Sequence, residues 1–194
     1  MRILVVYCHP SRTSFTYEVL RSFTRGLSDA GHEIEISDLY GMDFRTDLTE
    51  EEYLRETHYR SDLPVPADVK AEQDKIERAD SIAFVYPVFW TEAPAKLVGW
   101  FDRVWTAGYA YADCTMKPLD KALFIACTGK TLQSLEETGN KLAMETVMLG
   151  DRINQRAKSK QMVFLDGISH YDEALLQRMK PQHLEAAYRL GLEF

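Results

Sequence analysis

The chain contains 194 residues, of which 45% are apolar and 27% charged, and it carries a formal net charge of −7. This size supports one domain with a sizeable core, so we expect a single domain over residues 1–194. The acidic balance argues against nucleic acid as a partner, because phosphate backbones select for basic surfaces.

The amino-terminal apolar run and the cysteines bear on the compartment. Residues 3–8 form the first apolar run, which is too short for a signal peptide or a membrane span. Cys8, Cys114 and Cys127 lack the spacing of a zinc site or a disulfide framework, so we interpret them as reduced thiols. These features predict a cytoplasmic protein without membrane insertion.

Strand and helix patterns alternate along the chain. In order, the sequence predicts a strand at 3–8, a helix at 15–29, a strand at 32–39, a helix at 67–79, a strand at 82–88, a helix at 94–105, a strand at 122–127, a helix at about 132–149, a strand at 162–165 and a helix at 173–190. Four of these strands are almost continuously apolar, which is typical of parallel strands buried on both faces. The strand at 32–39 alternates instead. It predicts an edge strand with Ile34 and Ile36 facing the core and with Glu33, Glu35 and Ser37 facing solvent.

Strands that alternate with helices imply a parallel sheet with helices on both faces. Residues 40–66 form the one long irregular connection, which is either a solvated excursion with a short helix or a roof over a site. Ligands bind such sheets beyond the carboxyl ends of the strands, so the segments that follow the strands are where we expect the site.

The first of these segments is rich in hydroxyl groups. It reads HPSRTSF from His9, and the next helix begins near Ser14 or Phe15. Open backbone N–H groups at a helix start, with Arg12 and hydroxyls beside them, form an anion site. Capping of the helix by Thr13 or Ser14 alone explains this segment equally well.

The segments after the third and fourth strands differ from the first in chemistry. Pro87, Val88, Phe89 and Trp90 continue the apolar run into a loop, which is typical of a wall for a flat partner or a subunit interface. The turn Thr128-Gly129-Lys130 offers amide donors, and it lacks the spacing of a P-loop. A phosphate cradle, an apolar wall and amide donors together predict a flavin site on a flavodoxin-like, doubly wound five-stranded sheet of order 2-1-3-4-5.

Longer segments resemble a known family. HPSRTSFTY, DLY, DVKAEQDKIERAD, GYAY and above all YPVFWTEAPAKLVGWFDRVW are similar to the flavodoxin-like NAD(P)H:quinone oxidoreductases, over most of the chain to about residue 130. The resemblance implies a flavoprotein that passes two electrons from NAD(P)H to a quinone or another small aromatic acceptor by ping-pong hydride transfer. It favours FAD over FMN, and it implies a homodimer with the helix at 94–105 as a candidate interface.

The resemblance also implies roles for individual residues. The expected cofactor-binding set is His9, Arg12, Ser14, Phe15, Thr16, Gln73, Pro87, Val88, Phe89, Trp90, Thr128, Gly129 and Lys130. His9 and residues 14–16 would hold the phosphate end, and Gln73 would lie near the pyrophosphate. Trp105 and Tyr111 would line the substrate slot, and no protein side chain is assigned with certainty as catalytic.

The chain departs from the family pattern at two places. Leu135 and Lys141 occupy the approximate positions of a Tyr and a His that assist hydride transfer in mammalian members, and Lys130 replaces a second glycine. We hypothesise that Lys130 stabilises the negative charge that reduction leaves on the flavin. Two other functions remain open from the sequence: a flavodoxin-like electron carrier, and a regulatory subunit of an ion-efflux system.

Overall fold

The structure, a computed structural model, describes residues 1–194 and is built around one parallel sheet of order β2-β1-β3-β4-β5. The strands are β1 (Arg2–Tyr7), β2 (Glu33–Asp38), β3 (Ser81–Pro87), β4 (Leu119–Cys127) and β5 (Ala157–Leu165). The helices are α1 (Phe15–Asp29), α2 (Glu50–Thr57), α3 (Ala67–Arg78), α4 (Ala95–Val104), α5 (Leu132–Glu137), α6 (Asn140–Glu145) and α7 (Glu173–Leu192), with a π-helix at Thr146–Ile153. The predicted flavodoxin-like architecture is confirmed.

The central strands are buried on both faces because nearly every residue in them is apolar. Successive side chains of a strand point to opposite faces. Val6 and Phe84 therefore pack in a core beneath α3, α4 and the α5–α6 region, whereas Val5 and Val85 pack beneath α1 and α7. Every loop that leaves the carboxyl end of a strand consequently starts from a rigid position.

The two helices α1 and α7 cross in close contact. A Cβ atom on Gly26 would lie 2.1 Å from Tyr188 O, and one on Gly191 would lie 2.2 Å from Phe23 O. Only glycine permits this approach of the two backbones. The crossing fixes α7, whose first turns lie beside the site described below.

The outer strand β2 differs from its prediction. Ile36 is 45% exposed, whereas Ser37 is fully buried. Lys75 Nζ on α3 donates to Ser37 Oγ at 2.9 Å, and Arg78 Nη2 on the same helix bonds Glu35 Oε1 at 2.9 Å. The side that we expected to face solvent is covered by α3, because long basic side chains can cover a polar strand face.

The helix predicted at about 132–149 is also wrong as a single element. α5 ends at Glu137, and Gly139 then adopts a φ of +72°, a left-handed conformation that separates α5 from α6. The π-helix follows directly, and Nε1 of Trp105, the residue after α4, donates to the Arg152 carbonyl within the π-helix at 2.6 Å. The strands β4 and β5 begin earlier than expected, at Leu119 and Ala157.

The connection at 40–66 contains α2 and is tied to α4 by charge. Thr49 and Glu52 form a reciprocal capping box at the start of α2. Arg103 of α4, which is buried, donates to Glu52 Oε1 at 2.7 Å and to Asp68 Oδ1 at 3.0 Å. A buried charge of this kind is tolerated only when it is paired, so the network anchors the connection. None of the helices combines the length and the apolar composition that a membrane span needs.

Candidate functional site

A cavity of about 630 Å³ opens at the carboxyl edge of the sheet. Its walls come from the loops that follow β1, β3, β4 and β5 and from the start of α7. Nine of the predicted cofactor-binding residues line it: His9, Ser14, Phe15, Thr16, Pro87, Val88, Phe89, Thr128 and Gly129. The sheet thus brings together three segments that are far apart in the sequence.

The β1 loop supplies open hydrogen-bond donors. Ser14 caps α1, since its Oγ accepts from Tyr17 N–H at 3.2 Å while it donates to Ser11 O at 2.8 Å. The Tyr17 and Glu18 N–H groups bond to Ser14 O, but the N–H groups of Phe15 and Thr16 have no acceptor within the chain. Capping and anion binding are therefore compatible, because the cap uses one side chain and leaves the first amides free.

His9 adds a neutral donor to the same wall. Ser11 N–H donates to His9 Nδ1 at 2.9 Å, so the ring proton of the neutral imidazole lies on Nε2. Burial lowers the pKa of His9 below its ordinary value and favours this neutral form. His9 can thus donate a hydrogen bond to an anionic ligand without carrying a charge.

Positive charge contributes little to the cavity. Arg12 does not line it: the guanidinium bonds Asp38 Oδ2 at 2.9 Å, and 69% of its side chain is exposed. Lys180 of α7 does line the cavity, but it bonds Glu18 Oε1 at 2.7 Å. An anionic group would therefore meet mainly N–H and O–H donors rather than free cations.

The β3 loop forms an apolar wall and ends in a strained turn. Pro87, Val88 and Phe89 line the cavity, and Phe89 and Glu92 exchange backbone hydrogen bonds of 2.8 and 2.9 Å. Trp90 and Thr91 between them have φ angles of +52° and +66°, which residues with a Cβ rarely adopt. Trp90 is 99% exposed and lies outside the cavity wall.

The β4 loop offers one free amide. Thr128 N–H bonds Leu165 O at 2.9 Å, and Lys130 N–H bonds Thr128 Oγ1 at 3.3 Å, which leaves the Gly129 N–H without a partner. The Lys130 side chain is exposed and does not line the cavity. Cys127 at the end of β4 is buried in the wall, and burial raises its pKa to about 12, so this thiol is not a nucleophile.

Three further predicted residues lie away from the cavity. Gln73 is buried, and its Nε2 donates to Val104 O and Thr106 Oγ1, both at 3.0 Å. Trp105 is 8% exposed and packs against the π-helix. Tyr111 donates to Glu56 Oε2 at 2.6 Å, and burial together with this bond raises its pKa. Within one chain, all three side chains make structural contacts.

Sequence reasoning missed the wall built by the β5 loop and α7. Ile168, His170, Glu173, Gln177 and Lys180 all line the cavity. The loop after β5 reaches it because Ile168 N–H bonds Thr128 O at 3.0 Å and Gly167 N–H bonds Lys130 O at 3.1 Å. Only the topology could have predicted this wall, because β5 ends at the same edge as the other parallel strands. The residues Asp166-Gly167-Ile168 have no distinctive chemistry of their own.

The donor set fits a planar ring that carries a phosphate. The open amides of Phe15 and Thr16 suit phosphate oxygens, Pro87 to Phe89 suit the face of a ring, and the Gly129 amide suits a polar ring edge. These are the groups that a bound flavin needs, and they meet in one cavity.

Comparison with known proteins places the chain in a family. A family model described as having a flavodoxin-like fold matches residues 1–152. A solved NAD(P)H:quinone oxidoreductase from Methanothermobacter marburgensis is 44% identical and superposes with a TM-score of 0.94, covering 100% of this chain and 95% of that one. The chain belongs to the flavodoxin-like family, in the branch of the NAD(P)H:quinone oxidoreductases.

Curated relatives agree with this placement over part of their length. NAD(P)H dehydrogenase (quinone) 1 of Rattus norvegicus is 39% identical over 153 residues, which cover 72% of this chain and 54% of the rat protein. Ribosyldihydronicotinamide dehydrogenase (quinone) of Pongo abelii is 31% identical over 71% of this chain and 68% of that protein. The chain thus spans about half to two thirds of these relatives.

Proposed function

We propose that this chain is a flavin-dependent oxidoreductase that passes two electrons from NAD(P)H to a quinone or a similar small aromatic acceptor. The observation that carries the proposal is the cavity in which open α1 amides, an apolar β3 wall and the Gly129 amide meet. The names of the methanogen and rat relatives support the choice of NAD(P)H and quinone as substrates.

In this proposal each wall has a task. The Phe15 and Thr16 amides and the His9 Nε2–H bind the phosphate, and the Gly129 amide orients the polar edge of the ring. Phe89 and its neighbours exclude water from the ring, which strengthens these hydrogen bonds. When bound, the flavin supplies the two-electron chemistry, and the protein supplies binding and orientation.

We infer that FAD is favoured over FMN. Besides the start of α1, the cavity is lined by His170 of the β5–α7 loop and by Gln177 and Lys180 of α7. FMN carries one phosphate, whereas FAD carries a second phosphate and an adenosine that need further polar contacts. Release of the cofactor in acid, followed by chromatography against FAD and FMN standards, tests this choice.

We further propose a homodimer, with α2 rather than α4 as the main contact. The apolar residues of α4 are used within the chain, since Leu97 and Trp100 are fully buried. α2 reverses the usual pattern of burial: the charged Arg55 is buried, whereas 55% of Tyr53 and 44% of Leu54 are exposed. An exposed apolar helix face is typical of a protein interface. Neither Trp105 nor Tyr111 lines the cavity of its own chain, so in this proposal the predicted slot forms against the cavity of the partner.

Reconstitution and rapid kinetics test the function. The purified protein is titrated with FAD and with FMN, and the loaded protein is mixed with NADH or NADPH in a stopped-flow instrument. We expect a yellow protein, bleaching of the flavin by NAD(P)H, and ping-pong kinetics with benzoquinone. A protein that binds flavin but does not oxidise NAD(P)H favours the electron carrier, and one that binds no flavin favours the regulatory subunit.

A further inference from the structure

Two buried hydroxyl groups lack hydrogen-bond partners, and both belong to β3. They are Ser81 Oγ at the amino end of the strand and Tyr86 OH at its carboxyl end. Buried polar groups are almost always paired, and an unpaired one costs free energy that the fold must offset. The two positions differ in surroundings, because only Tyr86 lies next to the cavity.

The Tyr86 hydroxyl lies behind the wall of the cavity. Tyr86 is 1% exposed, directly precedes the cavity-lining Pro87, and is paired in the sheet with Ala126, the neighbour of Cys127. Burial above all, and then the nearby Glu92 and Cys127, raise the pKa of Tyr86. The phenol therefore keeps its proton and is a hydrogen-bond donor without an acceptor.

Glu92 in the β3 loop offers this donor a free acceptor. One carboxylate oxygen, Oε1, accepts from Ala93 N–H at 2.8 Å, and the other has no partner. Glu92 also closes the strained turn, in which Trp90 and Thr91 both have positive φ. Such strain is most costly for a β-branched residue such as Thr91, and strained backbone clusters at ligand clamps.

We propose that Tyr86 is a positioning residue for the turn at 89–92. With a ligand in the cavity, the Tyr86 hydroxyl donates to the Glu92 carboxylate, and this bond holds the turn and its Trp90 against the ligand. In the structure described here the Tyr86 hydroxyl is unpaired and Trp90 is 99% exposed. The proposal rests on the proposed function for the nature of the ligand, a flavin.

The first test compares Tyr86→Phe with Ser81→Ala, since each removes one unpaired hydroxyl from the same strand. Without flavin, both variants should melt at the same temperature as the wild type or about 2–4 °C higher, because each removes an unpaired group. Only Tyr86→Phe should weaken FAD binding, by about tenfold, the effect of losing one hydrogen bond. Equal FAD affinity in the wild type and both variants overturns the proposal.

The second test observes Trp90 directly. Trp90 is exposed whereas Trp100 and Trp105 are buried, so its resonance in protein labelled with 5-fluorotryptophan is assigned by Trp90→Phe. Saturating FAD should shift this ¹⁹F resonance in the wild type and in Ser81→Ala but not in Tyr86→Phe. In Glu92→Gln, which keeps an acceptor, FAD should shift the Trp90 resonance as in the wild type. In Glu92→Leu, as in Tyr86→Phe, the resonance should not shift. The same shift in every variant overturns the proposal.

The outcomes separate the two proposals. A wild-type protein that binds neither FAD nor FMN overturns the proposed function together with the role of Tyr86. A wild-type protein that binds FAD and reacts with NAD(P)H, with Tyr86→Phe equal to it in affinity and in the Trp90 signal, overturns the role of Tyr86 alone.

Discussion

At the scale of single residues, His9 couples the cavity to pH. Burial lowers its pKa in the folded protein, so the unfolded chain, with a His pKa of about 6.5, takes up the proton first on acidification. The contribution of His9 to the free energy of unfolding is therefore lost as the pH falls from about 6.5 toward the lower folded value.

His9→Asn keeps an acceptor for Ser11 N–H and removes the titration. We expect the melting temperature of the wild type to fall more steeply than that of His9→Asn between pH 7.5 and pH 5.5, because only the wild type must keep a buried imidazole neutral. Differential scanning calorimetry across this range measures the two slopes. Parallel slopes would mean that His9 is not held neutral by the fold.

Ser14 separates capping from ligand binding, because a second helix provides the matched control. Ser14→Ala and Thr49→Ala each remove an N-cap, of α1 and of α2, and each should lower the free energy of unfolding by about 1 kcal/mol. Only Ser14 lines the cavity, so only Ser14→Ala should weaken FAD binding, by severalfold. Urea denaturation and FAD titration measure the two effects. Similar FAD affinities in both variants would contradict a phosphate site at the α1 start.

At the scale of secondary-structure elements, α7 packs closely against α1 at Gly191 and carries part of the cavity wall that sequence reasoning missed. Gly191→Ala would place a Cβ 2.2 Å from Phe23 O and push the helices apart, whereas Gly150→Ala in the π-helix meets nothing within 4 Å. We expect Gly191→Ala to lower the free energy of unfolding by about 1–3 kcal/mol and Gly150→Ala to have little effect.

The displacement of α7 in Gly191→Ala should also weaken ligand binding. α7 carries Gln177 and Lys180 into the cavity wall, so FAD should bind more weakly to Gly191→Ala than to Gly150→Ala. Titration of both folded variants measures the difference. Full FAD affinity in Gly191→Ala would show that α7 does not contribute to the site.

At the scale of the whole molecule, the exposed face of α2 predicts how two copies meet. Leu54→Glu should convert the proposed dimer to a monomer, because it buries a charge in an apolar contact. Leu142→Glu on α6 is the control, because Leu142 is 68% exposed but lies on a different helix from Tyr53 and Leu54. Sedimentation velocity measures the two masses. A dimer that survives Leu54→Glu would move the interface elsewhere.

The architecture could be predicted because the apolar content of each strand indicates whether one or both of its faces are buried. Apolar runs such as 82–88 are compatible only with strands covered on both faces, and their alternation with helices leaves few topologies. The exposure of the two β2 faces and the break in the helix predicted at 132–149 could not be predicted. The first depends on a helix packed against the strand, and the second on the backbone conformation of one residue. Lys75 covers Ser37, and Gly139 uses a left-handed conformation that helical periodicity does not report.

The sequence by itself determined the fold and the chemistry of three site segments, because strand burial and loop composition are local properties. Only the tertiary structure decided which side chains meet. It turned Arg12 toward Asp38, buried Gln73 against Val104, and packed α7 against α1 through the close approach at Gly26 and Gly191. Such contacts join residues far apart in the chain, and their geometry follows from packing and topology rather than from any local pattern.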